Sequence, residues 1–285
     1  MRITSQTAAD ESIVLMGHGS RDREGSDEFL TFAHRLAARL QRPLYPGFLE
    51  LADPPIVTAI DQAAQAGART ILAVSWLLLG AGHVKNDLPV ALHLARQRYP
   101  QISIRYGNPL TAQPEILSVL GDRLAAIDPA QGMGSPDTAV LLVQRGSRDP
   151  EANAEVYRVA RLLWEGRSFR AVEVAFSGIT QPTIQEGLER CCATGVRRVL
   201  ILPYFLFTGI LVKRISQIVA QTAGDHPHCE VRIAEHLGQD HRLEELAQRM
   251  ITQVQQGKVT MTCDLCQYRT PPVWPRRTCW PSLLL

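Results

Sequence analysis

The chain has 285 residues, 45% apolar and 20% charged, a balance typical of globular proteins that leaves room for two ordinary domains. A net charge of +2 makes no case for nucleic acid, no apolar run approaches the roughly 20 residues of a membrane span, and the opening MRITSQTAADESIV lacks the basic-then-apolar layout of a signal peptide. These features predict a cytoplasmic protein with neither nucleic-acid nor membrane partners.

Short apolar runs alternate with stretches of helical period, which predicts an α/β fold with mostly parallel sheets. Strands are expected near 12–17, 44–50, 70–77 and 102–106. Between the first two, Phe29, Phe32, Ala33, Leu36 and Leu40 fall on one helical face, and Gly67 stands where a second helix would end. A fourth helix is predicted at about 113–127. The segment DPAQGMGSPDTA then reads as a linker, and the pattern restarts with strands near 138–143, 171–176, 197–203 and 229–234 and helices near 151–165, 182–194, 212–223 and 240–255. The predicted division is residues 1–128, a linker at 129–137, a second copy at 138–256 and a tail at 257–285.

The restart is a duplication. GHGSRD from Gly17 matches QRGSRD from Gln144, LADPPI with Pro55 matches ITQPTI with Pro182, AGARTILAV matches TGVRRVLIL, and LLLGAGHVK matches LFTGILVK. One offset of 127 or 128 residues relates all four pairs. Each matched segment lies where a strand gives way to a helix, the end of an open α/β sheet at which ligands bind.

The copies differ at three such places. His18 is matched by Arg145, His83 by Leu211 and Glu50 by Ser177, so the leading copy alone keeps ligand-type side chains. Two imidazoles and one carboxylate from three successive strand ends suit a borderline divalent metal such as Co(II), Ni(II), Fe(II) or Zn(II), and the lack of a thiolate suits a metal that is passed on. His18 sits between two glycines and His83 follows the small residues of LLLGAG, whereas His34, His93, His226 and His228 read as turn or packing histidines. The elements shared by both copies place Ser20, Arg21, Lys85, Ser147, Arg148, Lys213 and Arg214 near helix starts, where a polyanionic ligand could bind between the halves. Capping by Ser20 and Ser147, with Asp22 and Asp149 in the first turn, accounts for the same residues equally well.

GHGSR, FLELADPPI and LLLGAGHVKNDLP, in that order, resemble the CbiX-type class II chelatases, with the likeness extending over about 12–250. The resemblance implies a lyase that inserts Co2+, or Fe2+ in siroheme-forming relatives, into the tetrapyrrole sirohydrochlorin, as cobalamin or siroheme biosynthesis requires. It implies a metal-binding and catalytic pair at His18 and His83 with an acidic residue at Glu50, and a single site because the second copy has lost both histidines. Histidine can both hold an exchangeable metal and accept pyrrole protons near neutral pH. On this reading Ser20, Arg21, Lys85, Arg145 and Arg148 hold the substrate's carboxylates. The absence of a Gly-x-x-x-x-Gly-Lys-Ser/Thr loop predicts insertion without ATP. A metal-storage or metal-delivery protein using the same His/His/Glu set is the alternative, and a zinc hydrolase with a tightly held ion is a third reading.

Beyond residue 255 the α/β pattern stops. Cys263 and Cys266 form a C-x-x-C pair with Cys279 further on, compatible with zinc, an iron–sulfur cluster or thiol exchange. Long members of the resembled family carry a Met-x-Cys-x-x-Cys tail associated with a [4Fe–4S] cluster, and Met261 completes that pattern. The tail supplies three cluster ligands at most, so a fourth would come from elsewhere. Cys191 and Cys192 align with Ala63 and Ala64 on a helix and are expected to pack.

Overall fold

A computed structural model describes residues 10–129 and 134–258. Two four-stranded parallel sheets are present, and they share one topology. The first has the order β2-β1-β3-β4, from β1 (Glu11–Gly17), β2 (Leu44–Phe48), β3 (Thr70–Ser75) and β4 (Ser103–Tyr106). The second has the order β6-β5-β7-β8, from β5 (Thr138–Gln144), β6 (Ala171–Phe176), β7 (Arg198–Pro203) and β8 (Glu230–Ile233). Helices α1 (Arg23–Leu40), α2 (Ile56–Gln65), α3 (Leu88–Arg98) and α4 (Pro114–Ile127) belong to the leading half, and α5 (Pro150–Trp164), α6 (Ile184–Ala193), α7 (Ile210–Thr222) and α8 (His241–Gln255) to the trailing half. Gly67 follows α2 in the left-handed region, as its place in the sequence predicts.

Alternation along the central strands divides the core into three layers. Val14, Met16, Ile71 and Ala73 pack outward with α2 and α3, and Leu141, Val143, Val199 and Ile201 do the same with α6 and α7. The opposite faces, with Ile13, Leu15, Leu72 and Val74 on one sheet and Val140, Leu142, Leu200 and Leu202 on the other, share one continuous core with α1, α4, α5 and α8. Packing in this middle layer crosses the duplication. Helix α8 lies on β3 and β4 of the leading sheet, and α4 lies on β7 of the trailing sheet. Leu243, Leu246, Ile251 and Val254 of α8 are fully or almost fully buried there. Burying a leucine contributes about 1.5–3 kcal/mol relative to leaving it exposed, so the exchanged helices hold the halves together.

Cys191 and Cys192 are buried in the outer core of the trailing half, and burial pushes both thiols up, Cys192 to about 12. They pack as inert apolar groups. Among the described residues no helix is long and apolar enough to cross a membrane.

Candidate metal site between the two halves

The three residues singled out by comparing the copies meet in space. One ligand atom from each of His18, Glu50 and His83 lies within 4.8 Å of the other two. Glu50 Oε1 is 3.6 Å from His18 Nε2 and 3.8 Å from His83 Nε2, and the two rings meet edge-on with centroids 4.8 Å apart. Side-chain exposures of 26% for His18 and 33% for the other two leave the set open to solvent on one side.

The supporting backbone explains the convergence. His18 follows β1 directly, and the loop after β2 is hydrogen-bonded to it, Leu49 N–H donating to Gly17 O at 2.9 Å and Glu50 N–H to His18 O at 3.0 Å. Gly19 makes this possible: its φ is +92°, and a Cβ there would stand 1.8 Å from Glu50 O. The glycine thus serves the approach of two loops. His83 stands well beyond β3, which ends at Ser75, two residues short of the predicted strand end. It opens a π-helical turn, His83–Asp87, anchored by buried Val84, whose carbonyl accepts from Tyr106 Oη at 3.3 Å.

Partners assign the tautomers of both histidines. His18 Nδ1–H donates to Gly19 O at 3.1 Å, and its Nε2 accepts from Arg145 Nη1, also at 3.1 Å, because a guanidinium can only donate. His83 Nδ1–H donates to Asp87 Oδ2 at 2.6 Å, which turns its Nε2 toward Glu50. A carboxylate behind a ligand histidine fixes the ring and raises its basicity. Sequence reasoning missed Asp87, although the spacing HVKND carried the signal of an i, i+4 pair. Burial pushes His18 below its ordinary pKa; His83 and Arg145 act in the same direction, against the Gly19 carbonyl and Glu50. Accepting from Arg145 requires a lone pair on Nε2, the atom through which the ring could ligate.

The expected anion-binding residues divide into two groups. Lys85 Nζ is bound 2.6 Å from both Asp149 Oδ2 and Glu151 Oε2 of the other half. Lys213 mirrors it, at 2.6 Å from Asp22 Oδ2 and 2.8 Å from Glu24 Oε2. These lysines hold Asp22 and Asp149 below the usual carboxylate range and fasten each half to the helix start of the other. Asp22 and Asp149, rather than the serines, are the N-caps of α1 and α5; Ser20 Oγ and Ser147 Oγ each accept from the aspartate N–H two residues on, at 3.0 Å. Arg21 and Arg148 are exposed, and neither has an ion-pair partner among the described residues. His34, His93, His226 and His228 lie outside the His18, Glu50 and His83 cluster, His93 bonding to Gln97 and His226 meeting His228 edge-on. Cys263, Cys266 and Cys279, with the expected cluster, lie outside the described residues.

Strand register refines two of the matches. Phe48 N–H donates to Pro54 O as Phe176 N–H donates to Pro182 O, so Pro54 is the partner of Pro182. The same register pairs Leu49 with Ser177 and Glu50 with Gly178. The trailing half has lost the entire side chain there.

Fold and site together define a duplicated α/β protein with, among the described residues, one candidate metal site at the seam of its halves. The CbiX family profile matches residues 12–127 and again 139–254, and the chain belongs to that family. It is 38% identical to a sirohydrochlorin cobaltochelatase of Priestia megaterium over 91% of this chain and 85% of the relative. It is 33% identical to a sirohydrochlorin ferrochelatase of the same organism over 79% and 84%. The structure of the sirohydrochlorin chelatase SirB from Bacillus subtilis subspecies spizizenii in complex with cobalt superposes with a TM-score of 0.73 at 27% identity, covering 87% of this chain and 96% of that one.

Proposed function

We propose that the protein is a sirohydrochlorin chelatase that inserts Co2+ or Fe2+ into the macrocycle without a nucleotide. The observation that carries this reading is the convergence of His18, Glu50 and His83 at the seam, with relatives of matching length named for that activity. The metal is a substrate, and two imidazoles with one carboxylate leave coordination positions free for exchange. Metal–ligand bonds of about 2.0–2.2 Å draw the three ligand atoms closer than the 4.8 Å within which they now lie.

The proton balance supports the same roles. Insertion releases two pyrrole protons. When the ion passes to the ring nitrogens, His18 Nε2 and His83 Nε2 are freed together, and each can take one proton. Glu50, within 4 Å of both, can carry them outward. Asp87 steadies the imidazolium formed at His83. Arg21, Arg145 and Arg148, on the loops that flank the seam, meet the macrocycle's carboxylates, while Ser20 and Lys85 are engaged in the turn and the cross-half pair.

The test is to mix sirohydrochlorin with Co2+ or Fe2+ and follow the absorption spectrum with and without protein. Metallation faster than the protein-free rate is expected. An unchanged rate, with metal still bound, would establish a metal carrier in its place.

A further inference from the structure

His18 and its matched residue in the trailing half face each other across the seam. Arg145 Nη1 stands 3.1 Å from His18 Nε2. With Nδ1–H already donated to Gly19 O, Nε2 carries the only lone pair that His18 can offer a metal, and Arg145 occupies it. Guanidinium and metal cannot share that lone pair, and their like charges repel at such a separation. Arg145 itself is exposed and has no carboxylate within ion-pair distance among the described residues. Among the described residues a hydrogen bond to the His18 imidazole alone holds it, which a carboxylate offering a charge-assisted, two-pronged pair would outcompete.

We propose that Arg145 is a latch on the metal site. In the free protein it covers His18 Nε2, and a carboxylate of the incoming macrocycle draws it away, so that macrocycle binding uncovers the metal ligand. This rests on the reading of His18, Glu50 and His83 as the metal site. Arg145 is thereby a positioning residue for the reaction. The latch sets an order: the tetrapyrrole enters first, and the site stays closed to stray divalent ions, which exposed imidazoles would otherwise bind in order of intrinsic affinity. Because coupling is reciprocal, metal and macrocycle each favour the other's binding.

Replacing the latch separates the two affinities. Co2+ alone, titrated into full-length protein and read by its visible absorption, should bind Arg145→Ala about tenfold tighter than the parent, within the usual range of coupling between sites. Metal-free sirohydrochlorin, followed by its fluorescence, should bind the same variant about tenfold more weakly, since a charge-assisted partner is lost. Opposite shifts from one exposed side chain are the signature, because a damaged fold would weaken both. Unchanged or weaker Co2+ binding in Arg145→Ala overturns the latch, as does unchanged macrocycle binding. His83→Ala tests the underlying reading separately: if that variant binds Co2+ as tightly as the parent, the metal site itself is misplaced.

Discussion

The leading and trailing halves run through the same strands and helices in the same order, yet among the described residues only the leading half brings together groups that could hold a metal. Each difference is small and local. Where the leading half has His18, the trailing half has Arg145. Opposite Glu50 it has Gly178, at which a Cβ would stand 2.4 Å from Arg145 O, so no side chain fits without moving backbone. Opposite the His83 and Asp87 pair it has Leu211 and Ile215, the latter fully buried, and the π-helical turn is replaced by the regular start of α7. The scaffold thus survives while a site is lost, because strands and helices depend on apolar faces and the site on a few loop residues.

Removing the leading half's ligand should erase the difference between the halves. His83→Ala is expected to lower the rate of Co2+ insertion by about 10²–10⁴, the range for a lost proton-transfer group, with the fold intact by circular dichroism. Asp87→Ala removes only the carboxylate behind that histidine and should weaken Co2+ binding by about 10–100-fold in a direct titration. The reverse change, Gly178→Glu, restores a carboxylate to the trailing half but should create no second metal site. It should lower stability to urea by about 1–3 kcal/mol through the clash with Arg145 O. A second equivalent of bound Co2+ would show that the trailing loop had kept its capacity.

The exchanged helices offer the finest comparison. Asp240 caps α8 by accepting from Arg242 N–H at 3.0 Å, whereas Gln113 at the matched start of α4 makes no side-chain cap bond. Asp240→Ala should therefore cost about 1 kcal/mol at neutral pH, measured by urea unfolding. Arg242 beside Asp240 lowers its pKa from an ordinary 3.8 to about 2. A lowered carboxylate stabilises the fold fully above its unfolded value and loses that effect as it protonates. The gap between parent and variant should hold above pH 4 and narrow as pH falls through about 2.

The comparison of copies also marks what was readable in advance. His18, Glu50 and His83 stood out because their counterparts had changed while Gly-Ser-Arg-Asp and the Val-Lys pairs had not. Lys85 and Lys213 stood out in the same comparison, but their ion pairs were not legible there. Their acidic partners Asp149, Glu151, Asp22 and Glu24 lie in the opposite half, and nothing local links them. Asp87 was within reach of a local rule, being one helical turn from His83, but a carboxylate at i+4 is common on exposed helices without any such role. Glu50 was paired one residue out of register because the offset of 127 that relates His18 to Arg145 was carried into a loop whose backbone hydrogen bonds follow an offset of 128.

Sequence alone determined the order of strands and helices, their duplication and the chemical type of the candidate ligands, since periodicity, glycine placement and side-chain identity act over a few residues. Tertiary structure decided which sheet receives α4 and α8, and that Arg145 of one loop rests on His18 of its twin. An amphipathic face shows that a helix will be buried without naming what buries it, because the hydrophobic effect is non-directional. Contacts across the seam follow from how two complete apolar surfaces fit, a property of the assembled halves that neither segment carries by itself.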